Sequence, residues 1–295
     1  MTLNVLVVGA GPGGVAAAVQ LRRLGAEVRW WDRDGTVGGL LRHAWRVENW
    51  PGVPVGTPGV DCCALLREHA LAFGLSPEPV EVTGCVEDEA QVAVTVRAGA
   101  PESFDAVVWA VGTAPRPWPL AAPGLPVVTG FGDLPAGVRR LLVVGGGEAA
   151  CDGALHAVSA GLSTCLVVRA DRLRARGRLA ELALAHPALD RRFSTEVTSL
   201  DATRVAGVRA TLRGHGVERV HDADAVLFCG GRASRLPELD LSPPVPRASG
   251  SLRLTARQWV VGDARTGGLG QACIALGDGL LAAGELVCTD FTRWD

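Results

Sequence analysis

Tyrosine is absent from the 295-residue chain, methionine occurs once, and aromatic residues make up only 5%, eight of them tryptophan. Tryptophan without tyrosine reads as core and interface material, not as a substrate cage. No excess of charge of either sign exists: charged residues are 20% of the chain and the formal net charge is −2. That balance lacks the clustered Lys and Arg that nucleic acid or an anionic membrane would require. No apolar run approaches the roughly 20 residues of a membrane span. The opening Met1-Thr2-Leu3-Asn4 leads straight into a strand-like run. It has no basic stretch followed by a cleavable apolar segment, so a cytoplasmic protein is expected. The eight cysteines, at 62, 63, 85, 151, 165, 229, 273 and 288, form no Cys-x-x-Cys and no ligand spacing with histidine. No metal site is expected, and most of these cysteines sit in apolar runs where the thiol packs as a small hydrophobe.

What the chain does contain is one kind of unit, twice. The first is Leu3-Asn4-Val5-Leu6-Val7-Val8-Gly9-Ala10-Gly11-Pro12-Gly13-Gly14; the second is Arg140-Leu141-Leu142-Val143-Val144-Gly145-Gly146-Gly147-Glu148-Ala149-Ala150. Each is a short apolar run, then glycines, then a helical pattern, which predicts a buried strand turning into a helix. Val15, Val19, Leu21 and Leu24 carry the first helix to Gly25, and Glu27 to Asp32 is the following strand. Ala154, Leu155 and Val158 carry the second helix, and Thr164 to Val168 is its strand. Two β-α-β units predict two parallel sheets. Between them lie a helix over Val60 to Phe73 and strands over Pro79 to Val86, Gln91 to Arg97 and Asp105 to Val111. The Pro-rich stretches Pro115 to Pro119 and Pro237 to Pro246 mark the expected crossings between domains. A strand at Gln258 to Val261 and a helix from about Gly270 to Val287 complete the pattern.

Gly9-x-Gly11-x-x-Gly14 meets three needs of a dinucleotide cradle: a tight turn, a backbone close to pyrophosphate, and close helix–strand packing. The free N–H groups that open the helix then bind phosphate. Asp32, at the end of the next strand, is placed to accept bonds from ribose hydroxyls. Gly145-x-Gly147-x-x-Ala150 repeats the arrangement with alanine third. Its second strand ends in Val168-Arg169-Ala170-Asp171-Arg172-Leu173-Arg174, with bases where the first unit has an acid. A guanidinium grips phosphate in two-pronged fashion, so this end favours the 2′-phosphate of NADPH over NADH.

Further segments carry a family resemblance. Gly38-Gly39-Leu40-Leu41-Arg42-His43-Ala44-Trp45-Arg46-Val47-Glu48-Asn49-Trp50-Pro51-Gly52 resembles the stretch of low-molecular-weight thioredoxin reductases that runs from a Gly-Gly beside the flavin to a Glu-Asn-aromatic-Pro-Gly turn. The helix Cys62 to Phe73, the strand end Ala110-Val111-Gly112-Thr113, and the segments Val261-Gly262-Asp263-Ala264 and Gly270-Gln271-Ala272 are similar to that family as well. The resemblance implies an α/β fold of two Rossmann-like, three-layer dinucleotide-binding domains. The NAD(P)H domain, 115–235, is inserted into a split FAD domain, 1–114 and 236–295. It implies a homodimer and hydride transfer from NADPH to FAD. The FAD residues it implies are Gly9, Gly11, Pro12, Gly13, Gly14, Asp32, Gly39, Leu40, Asn49, Ala110, Gly112, Gly262, Asp263, Gln271 and Ala272. For the nicotinamide nucleotide they are Gly145, Gly147, Glu148, Ala149, Ala150, Arg169 and Arg174. The resemblance also puts His43 and Trp45 near the flavin, with His43 a candidate acid or base.

One departure shapes the expected function. Where the family carries Cys-x-x-Cys, this chain reads Val127-Val128-Thr129-Gly130-Phe131-Gly132-Asp133-Leu134-Pro135-Ala136-Gly137, without a cysteine. A flavin-to-disulfide relay needs two thiols, one attacking and one resolving. Adjacent Cys62 and Cys63 near a helix start are better read as packing residues than as that pair. The expectation is therefore an FAD-dependent NAD(P)H oxidoreductase that passes electrons from flavin directly to a small molecule or redox partner protein. An oxidase or dehydrogenase with a vestigial NAD(P)H site is the alternative, and a non-enzymatic FAD-bearing sensor a third. Trp294 is a candidate cover for the flavin.

Overall fold

The computed structural model describes residues 2–120, 122–203, 207–236, 239–243, 251–267 and 270–289. Two compact units emerge: Met1–Arg42 with Val47–Ala114 and Arg232–Asp295, and His43–Arg46 with Pro115–Gly231. Trp294, and parts of the Pro237 to Pro246 stretch, lie outside the described residues.

In the first unit the chain runs through β1 (Asn4–Val8), α1 (Pro12–Arg23), β2 (Glu27–Asp32), α2 (Gly59–Ala72), β3 (Glu78–Pro79), β4 (Val82–Glu87), β5 (Val92–Val96), β6 (Glu102–Phe104), β7 (Ala106–Trp109) and β8 (Thr113–Pro115). The second unit follows: β9 (Val127–Val128), β10 (Arg140–Val144), α3 (Glu148–Ser159), β11 (Ser163–Val167), α4 (Gly177–Ala185), β12 (Leu189–Arg192), β13 (Thr195–Ala202), β14 (Val208–Gly214), β15 (Val217–Ala223) and β16 (Ala225–Phe228). The first unit then resumes with β17 (Arg232–Ser234), β18 (Asp240–Ser242), β19 (Gln258–Val260), α5 (Asp263–Thr266) and α6 (Ala272–Thr289).

Each unit is built around a five-stranded parallel sheet, in the order β19-β7-β1-β2-β3 in the first and β12-β11-β10-β16-β9 in the second. Strand side chains alternate between faces, so each central strand feeds two cores. From β1, Val5 and Val7 pack with α1, α2 and α6, while Leu6 and Val8 pack with Val82, Cys85, Val92 and Val94 of a smaller, mostly antiparallel sheet, β18-β4-β5-β6. From β10, Leu141 and Val143 face α3 and α4, and Leu142 faces Leu200, Val208 and Leu212 of the antiparallel sheet β13-β14-β15. Helices, parallel sheet and antiparallel sheet thus make three layers in both units; the parallel sheets follow from the two β-α-β units and the three-layer arrangement from the family resemblance.

Two features differ from the sequence reading. Asp240 and Leu241, within the stretch read as a crossing, belong to β18, which pairs with β4 in the first unit. A run that short beside prolines carries too little periodicity to announce a strand. The three-stranded sheet β13-β14-β15 and the helix α4 were not expected; β15 is mostly exposed and lacks the apolar alternation of a half-buried strand.

Candidate functional site

In the first unit the predicted flavin residues converge at the carboxyl ends of β1, β2, β7 and β19, where open α/β sheets bind ligands. Gly9 holds φ +104°, and a Cβ there would collide with the Ala110 carbonyl oxygen at the end of β7. Gly14 is packed against Gly9 so closely that a Cβ would fall on the Gly9 carbonyl. Gly13 approaches α6, where an added Cβ would meet Ala275 O at 3.1 Å. Gly11 is different: a Cβ would meet nothing within 4 Å. It faces open space at the N-cap of α1, Pro12 follows at the helix start, and no side chain caps the helix. Unsatisfied N–H groups facing an open concavity are a phosphate site.

Asp32 closes one side of this turn. Its Oδ2 accepts the Ala10 N–H at 2.9 Å and its Oδ1 accepts the Asp34 N–H at 3.0 Å. Oδ1 also accepts the Thr36 N–H at 3.5 Å, so the carboxylate is fixed in orientation and Oδ2 retains a lone pair for a ribose hydroxyl. Gly39 begins a single 3-10 turn, Gly39–His43, and packs on Gly11, where its Cβ would meet the Gly11 Cα at 3.1 Å. Leu40 of that turn is exposed. Asn49 reaches the start of α6 through its carbonyl, which accepts the Cys273 thiol at 3.3 Å. Gly112 adopts φ +64°, and its carbonyl accepts the Arg235 N–H at 3.1 Å.

Behind β19 lies an ion pair that sequence reading missed. Asp278 of α6 is 8% exposed and accepts the Gly262 N–H at 2.9 Å and both Nε and Nη2 of Arg265, at 3.0 and 2.9 Å. This fixes the Gly262 turn that presents Asp263. Burial pushes the Asp263 carboxyl above its ordinary value; the Arg232 charge opposes that shift and Asp278 adds to it. Gly270 lies close by, its Cβ position 3.4 Å from the Asp263 carboxylate, and Gln271 and Ala272 lead into α6. A lone aspartate inside so apolar a helix was the available signal for Asp278. These residues fit FAD: an open pyrophosphate cradle, a fixed ribose acid, and a helix start beyond.

The second unit repeats the turn on its own elements. Gly145 holds φ +147° against the Cys229 carbonyl, which a Cβ would meet at 2.6 Å. Gly147 is the N-cap of α3, with no side-chain cap, and the one atom its Cβ would approach is Arg174 Nη2 at 3.9 Å. Glu148 and Ala149 open α3 on the exposed side, and Ala150 is buried. The N–H groups of Arg174 and Ala175 both donate to Gly146 O, at 2.6 and 3.0 Å, which pins the basic loop to the glycine turn. The structure brings Arg174 to this turn, while Arg169 lines a cavity with Ser194, Arg213 and His215.

His43 and Trp45, which the resemblance put near the flavin, pack within the second unit. The His43 ring fills the space that a Gly130 side chain would take, 2.6 Å from that Cβ position, and Asp133 Oδ2 lies 2.8 Å from the same point. The Trp45 N–H donates to Asp152 Oδ2 at 2.9 Å, and its indole stacks on His156 at 6.4 Å. His156 stacks in turn on Phe131 at 3.7 Å. Burial raises the Asp152 carboxyl to about 6, against the opposing effect of the Trp45 and Arg46 backbone N–H groups. All eight cysteines are free. Among the described residues no group of His, Cys, Asp and Glu could hold a metal, and no helix is long and apolar enough to cross a membrane.

Comparison with known proteins gives one direction. The model of the family described as pyridine nucleotide-disulphide oxidoreductase matches residues 3–242. A thioredoxin reductase of Mycolicibacterium smegmatis is 29% identical over 294 residues, covering 96% of this chain and 88% of that protein. NADPH-dependent thioredoxin reductase 3 of Arabidopsis thaliana is 27% identical over 95% of this chain and 57% of its own length. In fold, the chain is similar to the thioredoxin reductase of Lactococcus lactis, with a TM-score of 0.88 at 20% identity over 98% of this chain and 100% of that one. It is also similar to the bacillithiol disulfide reductase of Staphylococcus aureus, with a TM-score of 0.78 at 15% identity and full coverage of both. A match that spans most of the chain, over two complete glycine cradles, places it in a single family: it belongs to the pyridine nucleotide-disulphide oxidoreductases, as a thioredoxin reductase-like, FAD-dependent NAD(P)H oxidoreductase.

Proposed function

We propose that this enzyme takes reducing equivalents from NADPH, in preference to NADH, onto FAD and delivers them from the flavin directly to a small molecule or redox partner protein, with no internal dithiol in the path. The same reading assigns FAD to 1–114 and 236–295 and the nicotinamide nucleotide to 115–235, in a cytoplasmic homodimer. When bound, the flavin accepts two electrons from the nicotinamide and releases them one or two at a time.

The observation that carries the proposal is the state of the thiols. A relay needs a paired, ionisable dithiol. Here burial drives Cys63, Cys85 and Cys151 up to about 11 and Cys165 to about 12, so these remain neutral thiols. Cys62 and Cys273 are raised by burial too. The segment Val127 to Gly137 offers no cysteine to replace them.

The chain's own residues then have simple tasks. Gly11 and the start of α1 accept the FAD pyrophosphate, Asp32 orients its ribose, and the Gly262–Asp263 turn, braced by Asp278, holds the far end of the cofactor. The start of α6 at Gln271 and Ala272 would supply a positive helix end to favour the negative charge of a reduced flavin. Gly147 and the start of α3 accept the pyrophosphate of the nicotinamide nucleotide. That this second cradle keeps its open glycine, uncapped helix and basic loop speaks against a vestigial site.

Two measurements test this. Anaerobic mixing with NADPH is expected to bleach the visible flavin band faster than NADH does; no bleaching with either nucleotide overturns the reading. Thiol titration of the denatured chain is expected to find the same eight thiols before and after NADPH reduction. Two additional thiols after reduction would mean that a disulfide lies in the path.

A further inference from the structure

Two of the segments assigned to FAD, the strand end Ala110 to Gly112 and the turn Gly262–Asp263, are far apart in the chain, and the short strand β17 (Arg232–Ser234) joins them. It forms a two-stranded sheet with β8, which continues the first segment. Ser234 Oγ donates to Ala264 O at 2.7 Å, on the residue that follows Asp263. The N–H of Arg235 donates to Gly112 O at 3.1 Å. Arg232 makes the longest reach: its Nε donates to Thr113 Oγ1 at 3.0 Å and its Nη2 to Thr113 O at 2.8 Å. Every one of these bonds ends on, or next to, a residue assigned to the cofactor.

The guanidinium is held on a residue that is itself buried, since Thr113 is only 6% exposed, and two bonds to one partner fix its plane. Its charge acts on Asp263. Burial raises the Asp263 carboxyl, Arg232 opposes that rise, and Asp278 of α6 adds to it. The neighbouring cation, Arg265, is already engaged: it is paired to Asp278, which also accepts the Gly262 N–H. Arg232 is therefore the cation that offsets Asp263. A part-buried carboxylate without such a partner takes up a proton instead of bearing the cost of a bare charge.

We infer that Arg232 is a positioning residue of the flavin site: anchored on Thr113, it serves as counter-ion to Asp263 and holds that carboxylate in place to accept a hydroxyl of FAD. The inference rests on the assignment of Asp263 to FAD above and deepens it. An ionised carboxylate accepts a hydroxyl on either oxygen, whereas the protonated acid turns one oxygen into a donor. With Arg232 in place the acid stays ionised and the grip on FAD is level with pH. With the charge removed, burial acts unopposed, Asp263 protonates at a higher pH, and the grip loosens as pH falls. A residue that served only to tie β17 to Thr113 would show no such pH dependence.

The test is equilibrium binding of FAD to the full-length apoprotein, prepared by stripping flavin from the holoenzyme and read by flavin fluorescence between about pH 5.5 and 8.5. R232Q keeps a donor for Thr113 but loses the charge. It is expected to weaken FAD by about tenfold at the acid end and by clearly less at the alkaline end, while the wild type varies by less than about twofold. R232K keeps the charge without the fork, and its profile should stay level even where its affinity is lower. D263N is expected to weaken FAD by about tenfold, and R232Q added to D263N should cost less than about twofold more, because the counter-ion then has nothing to offset. This comparison also removes any loss of stability that R232Q brings, since both backgrounds carry it. A loss in R232Q that does not vary with pH, a pH-dependent loss in R232K, or the full tenfold loss repeated on D263N overturns the inference alone. D263N that binds FAD as tightly as the wild type overturns the placement of FAD on Asp263 along with it.

Discussion

The two glycine turns do the same work with different third residues, and packing explains why. In the first unit Gly14 leaves no room for a methyl group, because the helix start presses on the Gly9 carbonyl. Helix α1 is pushed there from its far side by α6, whose Gly279 comes into such close contact with the Gly13 carbonyl that no Cβ fits. In the second unit Ala150 fills the equivalent place, its Cβ 3.2 Å from where a Gly145 Cβ would point. What the third position tolerates is therefore set by how tightly the helix is driven onto the strand, not by the nucleotide. The second position behaves oppositely: Gly11 looks into open space and Gly147 meets only the Arg174 guanidinium, at 3.9 Å, since that is where a ligand must approach.

Exchanging the third residues has the largest expected effect. Gly14→Ala drives a methyl into a carbonyl and should cost ~3 kcal/mol or more, with loss of bound flavin, read by thermal melting and visible absorbance. The reciprocal Ala150→Gly should cost only ~1 kcal/mol, from a lost buried methyl and poorer helix propensity. Comparable losses in the two variants would mean that the packing difference is not what separates the cradles.

The brace behind the first cradle comes next. Asp278→Ala leaves Arg265 and the Gly262 N–H without their shared acceptor and should cost ~3 kcal/mol by chemical denaturation, with flavin content reduced. Asp278→Asn, which keeps an acceptor, should lose less. At the open second positions, stability and binding should separate. Gly11→Ala is expected to be isolated with little flavin and to melt near the temperature of the flavin-free wild type. Gly147→Ala is expected to keep its flavin and bind NADP+ about tenfold more weakly, read by equilibrium titration.

The smallest effect concerns pH and the second unit alone. Asp152 titrates near 6 in the folded chain, above its ordinary value of 3.8. An acid raised in the folded state binds more protons there than when unfolded, so its contribution to stability falls as pH rises from about 3.8 to about 6 and is level above. Asp152→Asn can still accept the Trp45 N–H and should flatten that part of the stability profile, with a gain under about 1 kcal/mol at pH 8. An unchanged slope between pH 4 and 6 would show that the carboxylate is better solvated than its burial suggests.

Much of the parallel framework was legible because its signals are local. β1, α1 and β2 follow from one apolar run, three glycines and a 3.6-residue stripe, all within about 30 residues. Of strands β13, β14 and β15, only β14 alternates, with Val208, Ala210 and Leu212 buried and Arg209 and Arg213 exposed; β13 and β15 lack that pattern and are joined to β14 across strands, Glu196 to Arg213 and Asp222 to Arg209. The outermost strands beside β7 and β16 differ in this respect: β19 was legible as the strand Gln258 to Val261, whereas the two-residue β9, just before the second β-α-β, carried no pattern of its own.

By itself the amino-acid sequence determined two phosphate cradles, the acid that ends one second strand and the basic loop that ends the other, because turn geometry and helix starts are decided by near neighbours. Tertiary structure alone decided that Arg174 reaches the second glycine turn while Arg169 lines a cavity with Arg213, that Asp278 braces the Gly262 turn, and that Trp45 is held by Asp152, 107 residues away. Those outcomes depend on packing between segments distant in the chain, where periodicity carries no information.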